Sequence, residues 1–175
     1  MGAGRVCALA ALFLASAPLS ADVGTGTFLA LAFVSKNCRI STTPVAFGRY
    51  DPIVANKSAS LDASGAITVA CVKGTAPTIA LGPGANATAD ARRMQRDAGG
   101  DFLAYELYQP PSTLPGIACQ FPGVVVWGAA GTNLFAAASA PSKNPRTYRV
   151  CGSVPAGQNP SIGSYADVVV ATVNF

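Results

Sequence analysis

The chain contains no histidine and little charge: of 175 residues, 12 are Lys or Arg and 8 are Asp or Glu. Without an imidazole, Ser-His and Cys-His nucleophiles and His-metal centres are excluded. There is no Cys-x-x-Cys pair either, which argues against zinc. The few carboxylates sit mostly beside turn residues, where Asp commonly bonds local backbone. Whether any two of them lie close enough for glycoside cleavage is a property of the fold, not of the sequence. Gly82-Pro83-Gly84 lacks the Lys and the following helix of a phosphate loop. The expectation is a protein with no catalytic residue, no metal and no cofactor. The one basic cluster, Arg92-Arg93-Met94-Gln95-Arg96, reads as an exposed strand with solvated arginines rather than a nucleic-acid face.

Past the first 21 residues no apolar run is long enough to span a bilayer. The opening itself has the layout of an export signal. One charge at Arg5 precedes an Ala/Leu-rich stretch, Val6–Ala17, and small residues gather at Ser20-Ala21. Residues 1–21 are therefore expected to be a cleaved signal peptide, taking Cys7 with them. About 150 residues remain, the size of one domain with a real core. Cys38, Cys71, Cys119 and Cys151 are left, an even number for an oxidising compartment. Two disulfides are expected, and spacing leaves all three pairings open.

What remains is rich in Val, Ala, Thr, Gly and Pro, the composition of short strands joined by turns. Thr27–Val34, read Thr-Phe-Leu-Ala-Leu-Ala-Phe-Val, is bounded by Gly-Thr-Gly and Ser-Lys-Asn and reads as a strand. Ser58–Leu61 is a short strand candidate, and Asp62-Ala63-Ser64-Gly65 reads as a turn. Ala66–Cys71 alternates around Ile67 and Val69. Pro77–Leu81 places Ile79 and Leu81 on one face. Arg92–Arg96 and Phe102–Tyr108 form a hairpin around Asp97–Gly100, with Leu103, Tyr105 and Leu107 facing the core. Val124–Gly128 is a buried strand candidate whose Trp127 reads as core rather than as a sugar platform. Ala129–Pro145 reads as a long exposed loop, and Thr147–Val154 returns as a strand. In Tyr165–Phe175, the residues Val169, Ala171, Val173 and Phe175 make one unbroken apolar face. Asn56-Lys57-Ser58 and Asn86-Ala87-Thr88 fit the glycosylation sequon. Some ten short strands and no helical period argue for an antiparallel β-sandwich.

The order of short motifs carries more than a class. Cys38 is followed by Phe47-Gly48-x-Tyr50-x-Pro52, then Ile67-x-Val69-x-Cys71, Ile79-x-Leu81 and Arg93-Met94. Leu103-x-Tyr105-x-Leu107-Tyr108, Trp127-Gly128, Val154-x-x-Gly157-Gln158 and Gly163-x-Tyr165-x-Asp167-x-Val169 follow, with Val173-Asn174-Phe175 last. This series resembles the spore coat protein U family and the subunits of Csu-type, archaic chaperone–usher pili.

The resemblance implies an all-β fold, an incomplete immunoglobulin-like antiparallel sandwich completed by a donor strand. Residues 22–36 are then the N-terminal donor segment and residues 37–175 the sandwich domain. The implied partners are identical or related pilus subunits, a periplasmic chaperone and an outer-membrane usher. The implied location is a cell-surface pilus reached through the periplasm, supporting adhesion and biofilm formation. The family register maps the inserted side chains to Phe28, Ala30, Ala32 and Val34. The alternate set, Leu29, Leu31 and Phe33, is apolar as well, and a slip of one residue exchanges the two faces. The acceptor groove is expected along Val169, Ala171, Val173 and Phe175. The resemblance also implies the pair Cys38–Cys71, and Cys119–Cys151 follows by elimination. Two other readings stand beside it: a self-complete secreted binding module, and a spore-coat or surface-layer component.

Overall fold

The computed structural model describes residues 22–89 and 91–175, so the expected signal peptide lies outside the described residues. The chain divides into two units, and the first is described over residues 22–33. There the backbone forms no strand and every side chain is exposed, Phe28 at 92%. Thr27–Val34, expected as a strand, is thus unpaired coil in the single chain. A strand is a ladder property, and an isolated segment has no partner with which to build one.

The second unit, Val34–Phe175, carries ten strands. They are β1 (Cys38–Thr43), β2 (Leu61–Cys71), β3 (Thr78–Leu81), β4 (Arg93–Arg96), β5 (Phe102–Ala104), β6 (Glu106–Tyr108), β7 (Phe135–Ala136), β8 (Arg146–Val154), β9 (Tyr165–Ala166) and β10 (Ala171–Asn174). One sheet runs β1-β2-β8-β6, a second β10-β3-β7 and a third β5-β4-β9, with every ladder antiparallel. The only helical element among the described residues is one 3-10 turn, Gly131–Asn133. The architecture is an immunoglobulin-like antiparallel sandwich.

The long central strands follow period-2 burial. On β2 the alternate residues Gly65, Ile67, Val69 and Cys71 are buried, and on β8 Tyr148, Val150, Gly152 and Val154 are buried. All three sheets contribute to one core, in which Ile79, Leu81, Leu103, Leu107, Trp127 and Phe135 meet. Each fully buried side chain of this size stabilises by about 1.5–3 kcal/mol. Trp127 is fully buried in this core, packs on Phe135 at 4.9 Å with the rings tilted by 40°, and donates its indole N–H to Ile79 O at 2.9 Å.

Of the three open pairings, the disulfides are Cys38–Cys71 and Cys119–Cys151. Cys38 and Cys71 are directly opposed across β1 and β2. The second bond ties the loop after β6 to β8.

Several local readings change in the fold. Asp62–Gly65 is no turn: β2 runs unbroken for 11 residues through it, while the stretch before Leu61 holds the turns. Gly65 is there for close approach, since a Cβ on it would meet Thr43 O at 2.6 Å and Val45 Cγ2 at 2.8 Å. Val124–Gly128 forms only a single bridge, Tyr108 to Val126, and Val124 is exposed; Trp127 alone is fully buried. Ala129–Pro145 is not an exposed loop throughout, because Phe135, Ala137 and Ala140 are core residues. One aromatic in an Ala/Ser-rich stretch gives no periodic signal, so its burial is decided by the partners it meets.

The arginine cluster is likewise structural. Arg92 is 4% exposed; it donates to Gly82 O and Trp127 O, both at 2.7 Å, and pairs with Glu106. Arg93 lies over the Phe102 ring at 3.8 Å, and Arg96 donates to Gly99 O at 3.1 Å. A guanidinium presents donors in a fixed fork, so Arg92 can satisfy carbonyls left at a strand end. The two sequon asparagines are also engaged: Asn56 is buried, and Asn86 bonds the Asp167 carboxylate.

Candidate functional site: an apolar groove between two edges

The last segment of the chain crosses between sheets. Tyr165–Ala166 pairs with β4 as β9, and Ala171–Asn174 pairs with β3 as β10. Between them, Val168 O accepts from Ala85 N at 3.0 Å and Val170 O accepts from Gly82 N at 2.9 Å. The even-numbered residues therefore turn their backbone groups toward β3 and its following loop. Along an extended chain, neighbouring residues direct their backbone groups to opposite sides. Val169, Ala171 and Val173 accordingly aim their N–H and C=O outward, and β10 is the edge of its sheet. The side chains of those three residues pack partly buried against the core.

Across from this edge runs the stretch that follows β1. Pro44–Arg49 makes no backbone–backbone hydrogen bond among the described residues. Its Val45 and Phe47 lie on the inner face of β2 and β8, over Gly65 and Gly152. A Cβ on Gly152 would meet Val45 Cγ1 at 2.6 Å and the Phe47 ring at 2.8 Å. The glycines make a flat floor on which these two side chains rest.

The two edges enclose a groove whose narrow part is mostly apolar and whose wide end is mixed, with Arg49, Ser161 and Ser164 on its walls. One part is a cleft of about 420 Å³, bounded by Thr43, Ala66, Leu81, Tyr105, Val169 and Ala171. The other is a cleft of about 810 Å³, bounded by Tyr50, Leu61, Leu103, Val154, Ile162 and Ser164. Val45, Phe47, Met94 and Tyr165 line both. Of the residues expected to form the acceptor face, Val169 and Ala171 line the smaller cleft. Val173 is partly buried against the core and lines neither cleft. Phe175 is half exposed and also lines neither.

Polar contacts fix the rim. The Asp167 carboxylate accepts the Tyr105 hydroxyl at 2.7 Å, Asn86 N and Nδ2 both at 3.1 Å, and its own neighbour Val168 N at 2.9 Å. A Cβ on Gly84, where φ is +100°, would sit 2.0 Å from that carboxylate, so the loop at 84 needs glycine. Burial raises the Tyr105 phenol, and the hydrogen bond it gives Asp167 raises it further. At the wide end, the Asp101 carboxylate accepts Ser161 N at 2.6 Å, Phe102 N at 2.9 Å and the Tyr165 hydroxyl at 3.1 Å. The bond from Ser161 leads in lowering the Asp101 carboxyl to about 2. The sequence marks Asp167 as one position of the Gly163-x-Tyr165-x-Asp167-x-Val169 motif, without assigning it a contact. Nothing in the local pattern reveals that Tyr105 and Asn86 converge on it.

The groove offers apolar depth flanked by two rows of backbone donors and acceptors, which is what an extended peptide recognises. No group of three or more His, Cys, Asp or Glu that could hold a metal occurs among the described residues.

Residues 24–172 match the family model described as Spore Coat Protein U domain. Protein U of Myxococcus xanthus is 33% identical over 180 residues, spanning 95% of this chain and 93% of that protein. Among solved structures, the fold is similar to a chain in the CsuC–CsuE chaperone–tip adhesion subunit pre-assembly complex from archaic chaperone–usher Csu pili of Acinetobacter baumannii. That match has a TM-score of 0.56 and 21% identity, and it covers 81% of this chain but 40% of the other.

Proposed function

The chain belongs to the Spore Coat Protein U domain family, and from that premise we propose that it is a structural, non-enzymatic subunit of a surface pilus. Subunits polymerise by donor-strand exchange: residues 22–36 of one copy enter the groove of the next and pair with the Val169–Val173 edge. The observation that carries this reading is the groove itself, apolar at its narrow end and flanked by backbone edges that find no partner among the described residues. Such an edge is an aggregation hazard unless another chain covers it. The exposed Phe28, Leu29, Leu31, Phe33 and Val34 support the same reading, since apolar side chains held in water gain by burial elsewhere.

The family register inserts Phe28, Ala30, Ala32 and Val34; the alternative inserts Leu29, Leu31 and Phe33. Residues 1–21 direct export and are removed, and residues 37–175 form the sandwich. A periplasmic chaperone covers the groove before assembly, an outer-membrane usher mediates exchange, and the finished fibre serves adhesion and biofilm formation. The chaperone is supported by the fold's likeness to a subunit solved in complex with one.

Deletion of residues 22–34 tests the reading. The expected product keeps its thermal transition, fails to polymerise, and captures a synthetic peptide of residues 22–36. Loss of the folded state on deletion would instead support a self-complete module whose first strand belongs to its own sheet.

A further inference from the structure

We propose that the turn Asp51–Asn56 is a second docking surface for the neighbouring copy of this chain, presenting Ile53 and Val54 beside the wide end of the groove. The inference rests on the donor-strand reading above and adds a contact outside the groove.

This turn is unusually well fixed for a surface segment. The Asp51 carboxylate accepts Ile53 N and Val54 N, both at 3.0 Å. Asp51 N donates to Asn56 Oδ1 at 2.8 Å, and Asn56 N donates back to Asp51 O at 2.7 Å. Asn56 is only 4% exposed and also donates to Ala59 O at 3.1 Å. Either side of the turn is tied to the loop after β8: the Tyr50 hydroxyl donates to Pro155 O at 2.9 Å, and Gly157 N donates to Asn56 O at 2.9 Å. On this frame Ile53 and Val54 are 77% and 75% exposed, and Ile162, also at the wide end, is 98% exposed. Apolar side chains on an ordered backbone lose little entropy on docking, which is how binding hot spots are built.

The occupant follows from geometry. Pro52 and Ile162 both line the larger cleft, so the turn is continuous with the groove. A strand entering antiparallel to β10 makes the better-aligned ladder. In that direction its Val34 lies at the Tyr165 end, beside this cleft. Only three residues lie between Val34 and Cys38, four steps of chain that span at most about 14 Å. The donor's own sandwich must therefore begin next to Ile53, Val54 and Ile162. The part of it nearest Cys38 is known: Val72 N donates to Asn37 O at 2.9 Å, and Gly74 N to Ala140 O at 2.8 Å. Lys73–Gly74 and Pro141–Ser142 are the surface that meets the turn.

The test uses fibres of the full chain carrying a photoreactive benzophenone side chain at position 53. Cross-links to residues 72–74 or 141–142 of a second copy are expected. Cross-links confined to the same copy, or reaching residues near Phe175 of another, would overturn the proposal. In parallel, the Ile53→Asp, Val54→Asp double variant should release subunits from fibres in denaturant about tenfold faster than wild type. Its capture of the 22–36 peptide should be unchanged. Peptide capture with a wild-type release rate defeats this contact alone. Failure of the wild-type groove to take the peptide defeats the donor-strand reading beneath it.

Discussion

The two sides of this sandwich are built from the same apolar residue types and differ in how they are closed. On one side Val69, Trp127, Phe135 and Tyr148 are essentially buried, and Val69 and Tyr148 lie on β2 and β8, each paired on both flanks. On the other, Val45, Phe47, Met94 and Val169 are only partly buried, and the strand edges beside them face outward. Hydrophobicity alone does not separate core from binding surface; the state of the adjoining backbone does. A buried side chain beside a paired strand stabilises the domain, whereas a half-buried one beside an open edge is available to a partner.

Substitutions should separate the two sides by readout. Trp127→Ala should cost the most, about 3–5 kcal/mol, because it leaves a cavity and removes the indole bond to the Ile79 carbonyl. Chemical denaturation measures it, and a loss under 1 kcal/mol would show that the closed side is not the stabilising one. Replacing Cys119 and Cys151 together by Ala should cost about 3–4 kcal/mol in the chain-entropy view. Peptide capture by that variant is expected to persist below its lowered Tm, since the bond lies outside the residues lining the groove.

Asp167→Asn should cost about 1–3 kcal/mol, since one carboxylate oxygen becomes a donor facing Tyr105 or Asn86. Its larger effect should be on assembly, because the rim at Val168–Val170 loses its anchor. A variant that lost stability yet polymerised at the wild-type rate would place Asp167 with the core rather than the groove. Phe28→Asp and Phe33→Asp should each change stability by no more than about 0.5 kcal/mol, as both sites are exposed. They should differ in polymerisation, and whichever abolishes it identifies the inserted face.

The smallest effect concerns pH. The Asp101 carboxyl is lowered from 3.8 to about 2 in the folded protein, chiefly by the Ser161 N–H. A depressed carboxyl contributes stability above its unfolded pKa and loses it as pH falls through the folded value. The contribution at the Pro160–Tyr165 rim should thus be intact above about pH 4 and gone only below about pH 2. Amide exchange at Ser161 reads this directly; Asp101→Asn should abolish the dependence.

Much of the architecture was legible because it is periodic. Leu103, Tyr105 and Leu107 announce a buried face by alternation, and the structure buries all three. The same strand nonetheless changes sheets at Tyr105, whose N–H donates to Arg92 O while β6 pairs with β8. No local pattern encodes that switch. Asp62–Gly65 misleads for a related reason: its composition is that of a turn, but Gly65 serves a neighbour's close approach. Arg92 misleads because a guanidinium in an exposed-looking cluster finds carbonyls more than ten residues away.

The sequence by itself determined the all-β class, the inward faces of the regular strands and the number of available disulfide partners. Alternation and composition act within a few residues, so they are written locally. Tertiary structure alone decided that Val45 and Phe47 rest on two glycines, that Asp167 gathers Tyr105 and Asn86, and that the two open edges face one groove. Those features join residues distant in the chain, and only packing brings their atoms within range of one another.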